Sequence, residues 1–77
     1  MDEKKALLEA ALFISDKPLS INELKKVTGL RKREIIGLLK SIEEDTKKEH
    51  RGIELFSVGE SYHLRVKEKY VQKVSQM

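Results

Sequence analysis

The fold of this chain is decided by residues 52–70, GIELFSVGESYHLRVKEKY, which have the pattern of a β-hairpin in an otherwise helical sequence. Residues 53–58 and 61–66 are rich in β-branched and aromatic side chains, which favours two strands. Gly59 and Glu60 lie between them, and glycine at the first central position favours a two-residue type II′ turn. We therefore predict an antiparallel hairpin.

This turn also fixes the register of the two strands. It places Val58 opposite Ser61, and the pairing then continues to Ile53 opposite Val66. The remaining expected pairs are Ser57 with Tyr62, Phe56 with His63, Leu55 with Leu64, and Glu54 with Arg65. One face becomes apolar, with Ile53, Leu55, Tyr62, Leu64 and Val66. A slip of one residue would move this whole set to the other face, so the register is well specified.

Helical patterns precede the hairpin, and we predict helices at about residues 2–15, 21–28 and 32–48. Asp2 is the expected N-cap of the first helix, and Pro18 disfavours its continuation. Ser20 and Glu23 have the spacing of a capping box that opens the second helix, and Gly29 is placed to end it in the left-handed conformation.

Two helices joined by a short turn that contains glycine are typical of a helix-turn-helix. With the hairpin as its wing, the chain is predicted to be mainly α with a small β-hairpin, a winged helix-turn-helix in a single domain over residues 1–77. Apolar residues at helical spacing predict a last helix from about residue 68: Tyr70, Val71, Val74 and Met77. Because this pattern reaches the last residue without a cap, we expect a fragment of a longer protein.

Composition limits the function classes. The chain has 77 residues, of which 39% are hydrophobic and 5% aromatic, so a small core gains much from a partner. It has no cysteine, which excludes disulfides and thiolate metal sites and favours a cytoplasmic setting. No apolar run approaches the roughly 20 residues that span a bilayer. A net charge of +3 permits contact with nucleic acid but does not require it.

The first helix is more apolar than a surface helix needs to be, because only Glu9 is polar between Ala6 and Ile14. A core stripe is predicted over the domain at Leu7, Ala11, Ile14, Leu24, Ile35, Leu39, Ile42, Leu55 and Leu64. Two explanations of the surplus on this helix stay open: a wide core stripe with one exposed aromatic residue, or a flank covered by another chain. We favour the second explanation.

The outer face of the wing also carries surplus apolar residues beside Glu54, His63 and Arg65. Together with the flank of the first helix, this face is predicted to form a homodimer or partner interface through Leu8, Leu12, Phe13, Phe56 and Val58. A two-fold interface would bury each patch twice.

The third helix would be the DNA-reading helix of a helix-turn-helix. Its candidate contacts with DNA or with an acidic partner are Arg31, Lys32, Arg33, Lys40 and Lys47. Glu44 lies within about 40° of both Arg33 and Lys40 around the helix axis, and a carboxylate there repels phosphates. Three explanations of the basic turn at residues 31–33 stay open: a solvated turn, contact with DNA phosphates, or an acidic protein surface.

Catalysis finds little support in this sequence. The two histidines, His50 and His63, lack the spacing of a metal pair or of a nucleophile and its base, and we interpret both as surface residues. The four glycines form no phosphate-binding loop, so we predict no cofactor. Gly37 lies in the middle of a helix, where it either permits close approach of another backbone or is tolerated.

Two long stretches resemble a known family. Residues 6–30, ALLEAALFISDKPLSINELKKVTGL, and the hairpin segment 52–70 are similar to the N-terminal winged-helix domain of segregation and condensation protein B, ScpB. The matching features are the apolar first helix with Leu12-Phe13, the Lys17-Pro18-Leu19-Ser20 turn, Glu23-Leu24, Gly52-Ile53-Glu54-Leu55, and Tyr62-His63-Leu64-Arg65 before Tyr70. The resemblance covers nearly the whole chain.

This resemblance implies a non-enzymatic subunit of the prokaryotic SMC–kleisin complex, which condenses and segregates chromosomes. Members of that family carry a second winged-helix domain, so the resemblance implies that this chain is the N-terminal half of a longer protein. They dimerise through the N-terminal domain and bind the kleisin ScpA and, through it, SMC. The implied location is the cytoplasm, in association with the nucleoid, with weak or indirect DNA contact and no membrane. The alternative is a winged-helix transcription regulator that binds DNA through the third helix.

Overall fold

The computed structural model describes residues 3–48 and 51–75. Asp2, His50 and Met77, for which the sequence predicts a cap, a surface histidine and an apolar helix position, lie outside these residues. The elements in chain order are α1 (Glu3–Ile14), β1 (Leu19–Ser20), α2 (Ile21–Thr28), α3 (Lys32–Thr46), β2 (Ile53–Val58), β3 (Ser61–Val66) and α4 (Glu68–Ser75).

The helix-turn-helix forms because local signals at its ends agree with each other. Ser20 Oγ accepts a hydrogen bond from the N–H of Glu23 at 3.2 Å, and the N–H of Ser20 donates to Glu23 Oε1 at 2.8 Å. Gly29 follows α2 with φ 76°, and its N–H donates to the Lys25 carbonyl at 2.8 Å. The predicted capping box and left-handed glycine are confirmed.

The hairpin has the predicted strands and the predicted register. β2 pairs with β3 from Ile53 opposite Val66 to Val58 opposite Ser61. Gly59 has φ 60°, whereas none of the non-glycine residues in the described ranges, Glu60 included, has positive φ. This combination fits a type II′ turn and excludes type I′, which needs positive φ at both central residues. On the outer face, Arg65 Nε donates to Glu54 Oε2 at 3.0 Å.

A third strand is present that the sequence did not predict. β1 pairs with β3 through Leu19 opposite Tyr62 and Ser20 opposite Ser61, so the sheet order is β1-β3-β2. A strand of two residues is too short to carry a period-two pattern. Its effect is to bind the start of α2 to the wing.

The core lies where α1, α2 and α3 meet the inner face of the sheet. Its buried apolar residues are Leu8, Ala11, Leu12, Leu19, Leu24, Ile35, Leu39, Ile42 and Leu64, with Leu55 packed partly buried against them. The predicted core positions on α2, α3 and β3 are thus confirmed. Two predicted core positions on α1 are wrong, because Leu7 and Ile14 are exposed.

The error on α1 is a rotation of about 100° around the helix axis, from a face centred near Leu7 to one centred on Leu8. Two ion pairs flank the buried face: Lys4 with Glu34 and Lys5 with Asp45. Both acids belong to α3, so these pairs and the buried leucines together set the orientation of α1. Because α1 is apolar on nearly all sides, periodicity alone could not choose between the two faces.

The C-terminal end of α3 is linked to the wing by a buried polar residue. Thr46 is 1% exposed; its hydroxyl donates to the Glu43 carbonyl and accepts from the N–H of Leu55, each at 3.2 Å. Gly37, by contrast, is exposed, and an added Cβ would have no described atom within 4 Å, so close approach of another backbone finds no support within this chain.

Candidate interaction surfaces

The side of α1 that faces away from the core carries an unbroken apolar surface. We call it the α1 outer face, and it consists of Ala6, Leu7, Ala10, Phe13 and Ile14. These residues occupy an arc of about 120° opposite the buried residues. Phe13 is 69% and Ile14 84% exposed, a large apolar exposure for so small a domain. This surface needs an explanation beyond packing within the chain.

Two residues predicted for an outer interface are wrong, because Leu8 and Leu12 are 0% exposed and belong to the core. Phe13 is the one residue of the predicted α1 set that reaches the surface. Four exposed apolar residues of α1 are not among those predicted for the interface: Ala6, Leu7, Ala10 and Ile14. The available signal was the pair Lys4 and Lys5, whose long charged side chains flank the buried face.

The outer face of the wing is less open than predicted. The Phe56 ring is partly buried, and Arg65 Cζ lies 3.7 Å from its centroid, so a cation–π contact covers much of it. Val58 remains 50% exposed. His63 Nε2 donates to the Ser15 carbonyl at 3.0 Å, which places the outer wing face beside the C-terminal end of α1.

The predicted basic residues of α3 are all exposed: Arg31, Lys32, Arg33, Lys40 and Lys47. They are spread along a helix of about 22 Å. Arg31 and Arg33 line one cavity of about 730 Å³ with Lys4 and Glu34. Lys40 lies elsewhere, next to Glu43 at a second cavity, and Lys47 follows the last turn. Of the predicted basic residues, only Arg31 and Arg33 therefore line the same cavity.

Acidic groups interrupt this basic surface. Glu34 accepts a hydrogen bond from the N–H of Arg31 at 3.2 Å and pairs with Lys4. The hydrogen bond from Lys4, followed by that from the Arg31 N–H, holds the pKa of Glu34 below its ordinary value of 4.5. Glu34 thus stays ionised at neutral pH, and Glu44 is exposed farther along α3. The resulting surface has mixed charge.

A metal centre finds no support over residues 3–48 and 51–75, since no group of three or more His, Cys, Asp or Glu residues in these ranges could hold an ion. Of the two histidines, His63 is partly buried and engaged with the Ser15 carbonyl rather than free at the surface. None of the helices in the same ranges is long and apolar enough to cross a membrane.

The family model described as segregation and condensation complex subunit ScpB matches residues 6–77, which is nearly the entire chain. This chain belongs to the ScpB family. The family resemblance of the sequence is thereby confirmed.

Curated ScpB proteins are longer than this chain. The chain is 33% identical over 76 residues to segregation and condensation protein B of Alkaliphilus oremlandii (strain OhILAs), covering 95% of this chain and 41% of that protein. It is 30% identical over 71 residues to the protein of Brevibacillus brevis (strain 47 / JCM 6285 / NBRC 100599), covering 91% of this chain and 37% of the relative. The chain therefore spans about two fifths of these relatives.

Solved ScpB structures share the fold. A dimer of an ScpB N-terminal domain complexed with an ScpA peptide superimposes with a TM-score of 0.86 at 26% identity, covering 99% of this chain and 88% of that one. ScpB from Mycobacterium tuberculosis gives a TM-score of 0.85 at 22% identity, covering 99% of this chain and 49% of that one, and this likeness concerns the fold alone. The predicted winged-helix class is confirmed.

Proposed function

We propose that this chain acts in an SMC–kleisin complex that condenses and segregates chromosomes, as a non-enzymatic subunit that forms a homodimer and binds an ScpA-type kleisin. The observation that carries this proposal is the family match over residues 6–77, joined by the likeness to an ScpB domain that is a dimer with an ScpA peptide. The proposed location is the cytoplasm, in association with the nucleoid.

The α1 outer face is the proposed dimer interface, because it can pack against itself. In an antiparallel pair of α1 helices with the two-fold axis at Ala10, Ala10 meets its own copy and permits close approach. Ala6 then faces the large side chain of the partner's Ile14, and Leu7 faces the partner's Phe13. Each of these contacts occurs twice, since a residue that meets another on the partner is also met by it, and such reciprocal contacts define an isologous interface.

The wing extends this proposed interface at one end. The hydrogen bond from His63 Nε2 to the Ser15 carbonyl joins the outer wing face to the residue that follows Ile14. Val58 supplies an open apolar side chain there, whereas Phe56 contributes the part of its ring that Arg65 leaves uncovered. Leu8 and Leu12 have no part in this interface, since they hold the core together.

Contact with DNA is proposed to be weak or indirect. Phosphate neutralisation dominates the affinity of proteins for DNA, and Glu34 and Glu44 lower the potential that the basic residues of α3 can offer. The second candidate function, a DNA-binding regulator, is favoured by a single observation: Arg31 and Arg33 are exposed at the start of α3, where a helix-turn-helix reads bases.

The test is binding to the kleisin encoded in the same genome. The 77-residue chain is titrated with the purified kleisin by calorimetry, and the complex is then examined by gel filtration with light scattering. The proposal predicts saturable binding to a dimer of this chain. Binding to duplex DNA with strong sequence preference, combined with no kleisin binding, would favour the regulator instead.

A further inference from the structure

A groove runs between α3 and the free edge of the sheet, on a part of the molecule that does not include the α1 outer face. It contains a cavity of about 260 Å³ lined by Ile36, Leu39, Leu55, Ser57 and Tyr62, with Lys40 and Glu43 beside them. A second cavity, of about 400 Å³, continues from Ile36 and Tyr62 toward the start of α2 and the turn of the wing. The groove is therefore open along its length.

One wall of this groove is an unpaired strand edge. β2 is the outer strand in the order β1-β3-β2, so only one of its edges is hydrogen-bonded to a neighbour. Because Val58 and Ser61 close the two-residue turn, residues 54, 56 and 58 bond to β3, and residues 53, 55 and 57 direct their N–H and C=O groups outward. The bond from the Leu55 N–H to Thr46 Oγ1 agrees with this alternation.

Beyond Leu55 the outward edge is open. Ser57 is exposed, and its backbone groups take part in none of the hydrogen bonds found outside the sheet among residues 3–48 and 51–75. Exposed strand edges are ready to pair with another extended chain. The N–H and C=O of Ser57, with the C=O of Leu55 before it, form a short template for such pairing.

The opposite wall is apolar. Ile36 is 50% exposed on α3 and lines the groove together with Leu39 and Tyr62. An apolar side chain placed here would cover surface that otherwise faces water, at roughly 25 cal/mol per Å² of buried apolar area. Lys40 is basic and Glu43 is acidic, so the charged residues that line the groove favour neither sign of charge in a ligand. A bound segment would therefore be recognised more by its shape and its apolar side chains than by its charge.

We infer that this groove binds an extended segment of the kleisin, which pairs with β2 at Ser57 and places an apolar side chain against Ile36. The inference rests on the proposed function and specifies where the kleisin binds. The similar ScpB N-terminal domain is complexed with an ScpA peptide, and strand addition is a common way to bind a linear segment. We do not expect a second copy of this chain in the groove, because the proposed dimer interface is the α1 outer face, which shares no residue with the groove.

The backbone part of this inference is tested with Ser57→Pro, matched by Ser57→Ala. Proline removes the outward N–H, which makes no bond to β3, and proline is tolerated at strand edges. Overlapping synthetic peptides that span the kleisin first identify the binding segment with the parent chain. We expect Ser57→Pro to weaken binding of that peptide by about tenfold or more and Ser57→Ala to bind like the parent.

The apolar part is tested with Ile36→Lys, matched by Val27→Lys on α2. Both side chains are exposed, at 50% and 62%, but Val27 does not line the groove. Ile36→Lys should weaken peptide binding by about tenfold, and Val27→Lys should leave it unchanged. Circular dichroism and sedimentation of each variant establish that the fold and the dimer are retained.

Two different failures can be told apart. If the parent chain binds no part of the kleisin, the proposed function fails together with the groove. If the parent chain binds a kleisin peptide and both Ser57→Pro and Ile36→Lys bind it equally well, the groove inference is overturned while the proposed function stands. Loss of binding in Val27→Lys alone would place the kleisin on α2 and would likewise overturn it.

Discussion

Thr46 is the residue that joins the helical part of the domain to the wing. Its hydroxyl is fully buried, and it is the acceptor for the outward N–H of Leu55. Thr46→Val keeps the shape of the side chain but leaves that N–H without this acceptor. We expect a loss of about 1–3 kcal/mol in the free energy of unfolding, measured with urea. Thr46→Ser retains the hydroxyl and is the control, and an equal loss in both variants would assign the effect to packing instead.

Asp45 gives the domain a dependence on acid. The hydrogen bond from Lys5 is the largest cause that holds the pKa of Asp45 below its ordinary value of 3.8. A lowered pKa in the folded state means that the ionised carboxylate stabilises the fold above pH 3.8, and that this stabilisation disappears as the pH falls through the folded-state pKa. Asp45→Asn should therefore be less stable than the parent at neutral pH.

The same comparison supplies its own control. As the pH is lowered, the unfolding midpoints of the parent and of Asp45→Asn should converge, because the parent carboxyl becomes neutral in both states. Midpoints that stay apart at acidic pH would mean that the substitution acts through packing rather than through the ion pair with Lys5.

The elements of this domain differ in how far the sequence determines them. The second helix and both wing strands were predicted at their observed bounds, because Ser20, Glu23, Gly29 and Gly59 impose local geometry through hydrogen bonds and positive φ. The strand at Leu19–Ser20 was missed, because it exists only through pairing with β3. Caps and turns determine where these elements begin and end, and they can be recognised in the sequence. Contacts between distant segments determine the strand at Leu19–Ser20 and the face of α1 that is buried.

The first helix is the clearest case of the latter. Both of its faces are apolar, so the hydrophobic pattern could not distinguish the face against the core from the face toward a partner. The choice depends on contacts distant in sequence, such as those of Lys4 with Glu34 and Lys5 with Asp45. Two of the residues predicted for the interface, Leu8 and Leu12, therefore lie on the side of α1 that faces the core.

The orientation of α1 predicts that Leu12→Ala and Ile14→Ala change the free energy of unfolding by different amounts. On a Leu7→Glu background, in which dimerisation should be lost, Leu12→Ala should lower the free energy of unfolding by about 2–5 kcal/mol, because it opens a cavity in the core. Ile14→Ala on the same background should change it by less than about 0.5 kcal/mol, since the side chain is exposed. Equal losses in denaturant unfolding would mean that α1 is rotated from its described position.

At the scale of the whole molecule, the basic residues of α3 are predicted to bind duplex DNA weakly and without regard to sequence. Lys40→Glu and Lys47→Glu should leave the dimer unchanged and should weaken any DNA binding equally for unrelated duplexes. Fluorescence anisotropy with two such duplexes at low and moderate salt measures this. A sequence-selective footprint that disappears with Arg33→Ala would contradict the prediction and favour the regulator.

The proposed dimer depends on the α1 outer face. Leu7→Glu and Ile14→Glu place a carboxylate in the proposed two-fold contact, whereas Val27→Glu places one at an exposed apolar residue outside it. None of the three changes touches the buried core, so each variant should fold with the helix content of the parent. A buried carboxylate that has no cationic partner is strongly unfavourable, so Leu7→Glu and Ile14→Glu should prevent the dimer and Val27→Glu should not.

Sedimentation equilibrium of the 77-residue chain at micromolar concentrations measures whether this dimer forms. The parent and Val27→Glu are predicted to sediment with the mass of a dimer, and Leu7→Glu and Ile14→Glu with the mass of a folded monomer. A monomeric parent would contradict the proposed dimer, and a dimer that persists in both α1 variants would contradict its proposed interface on the α1 outer face.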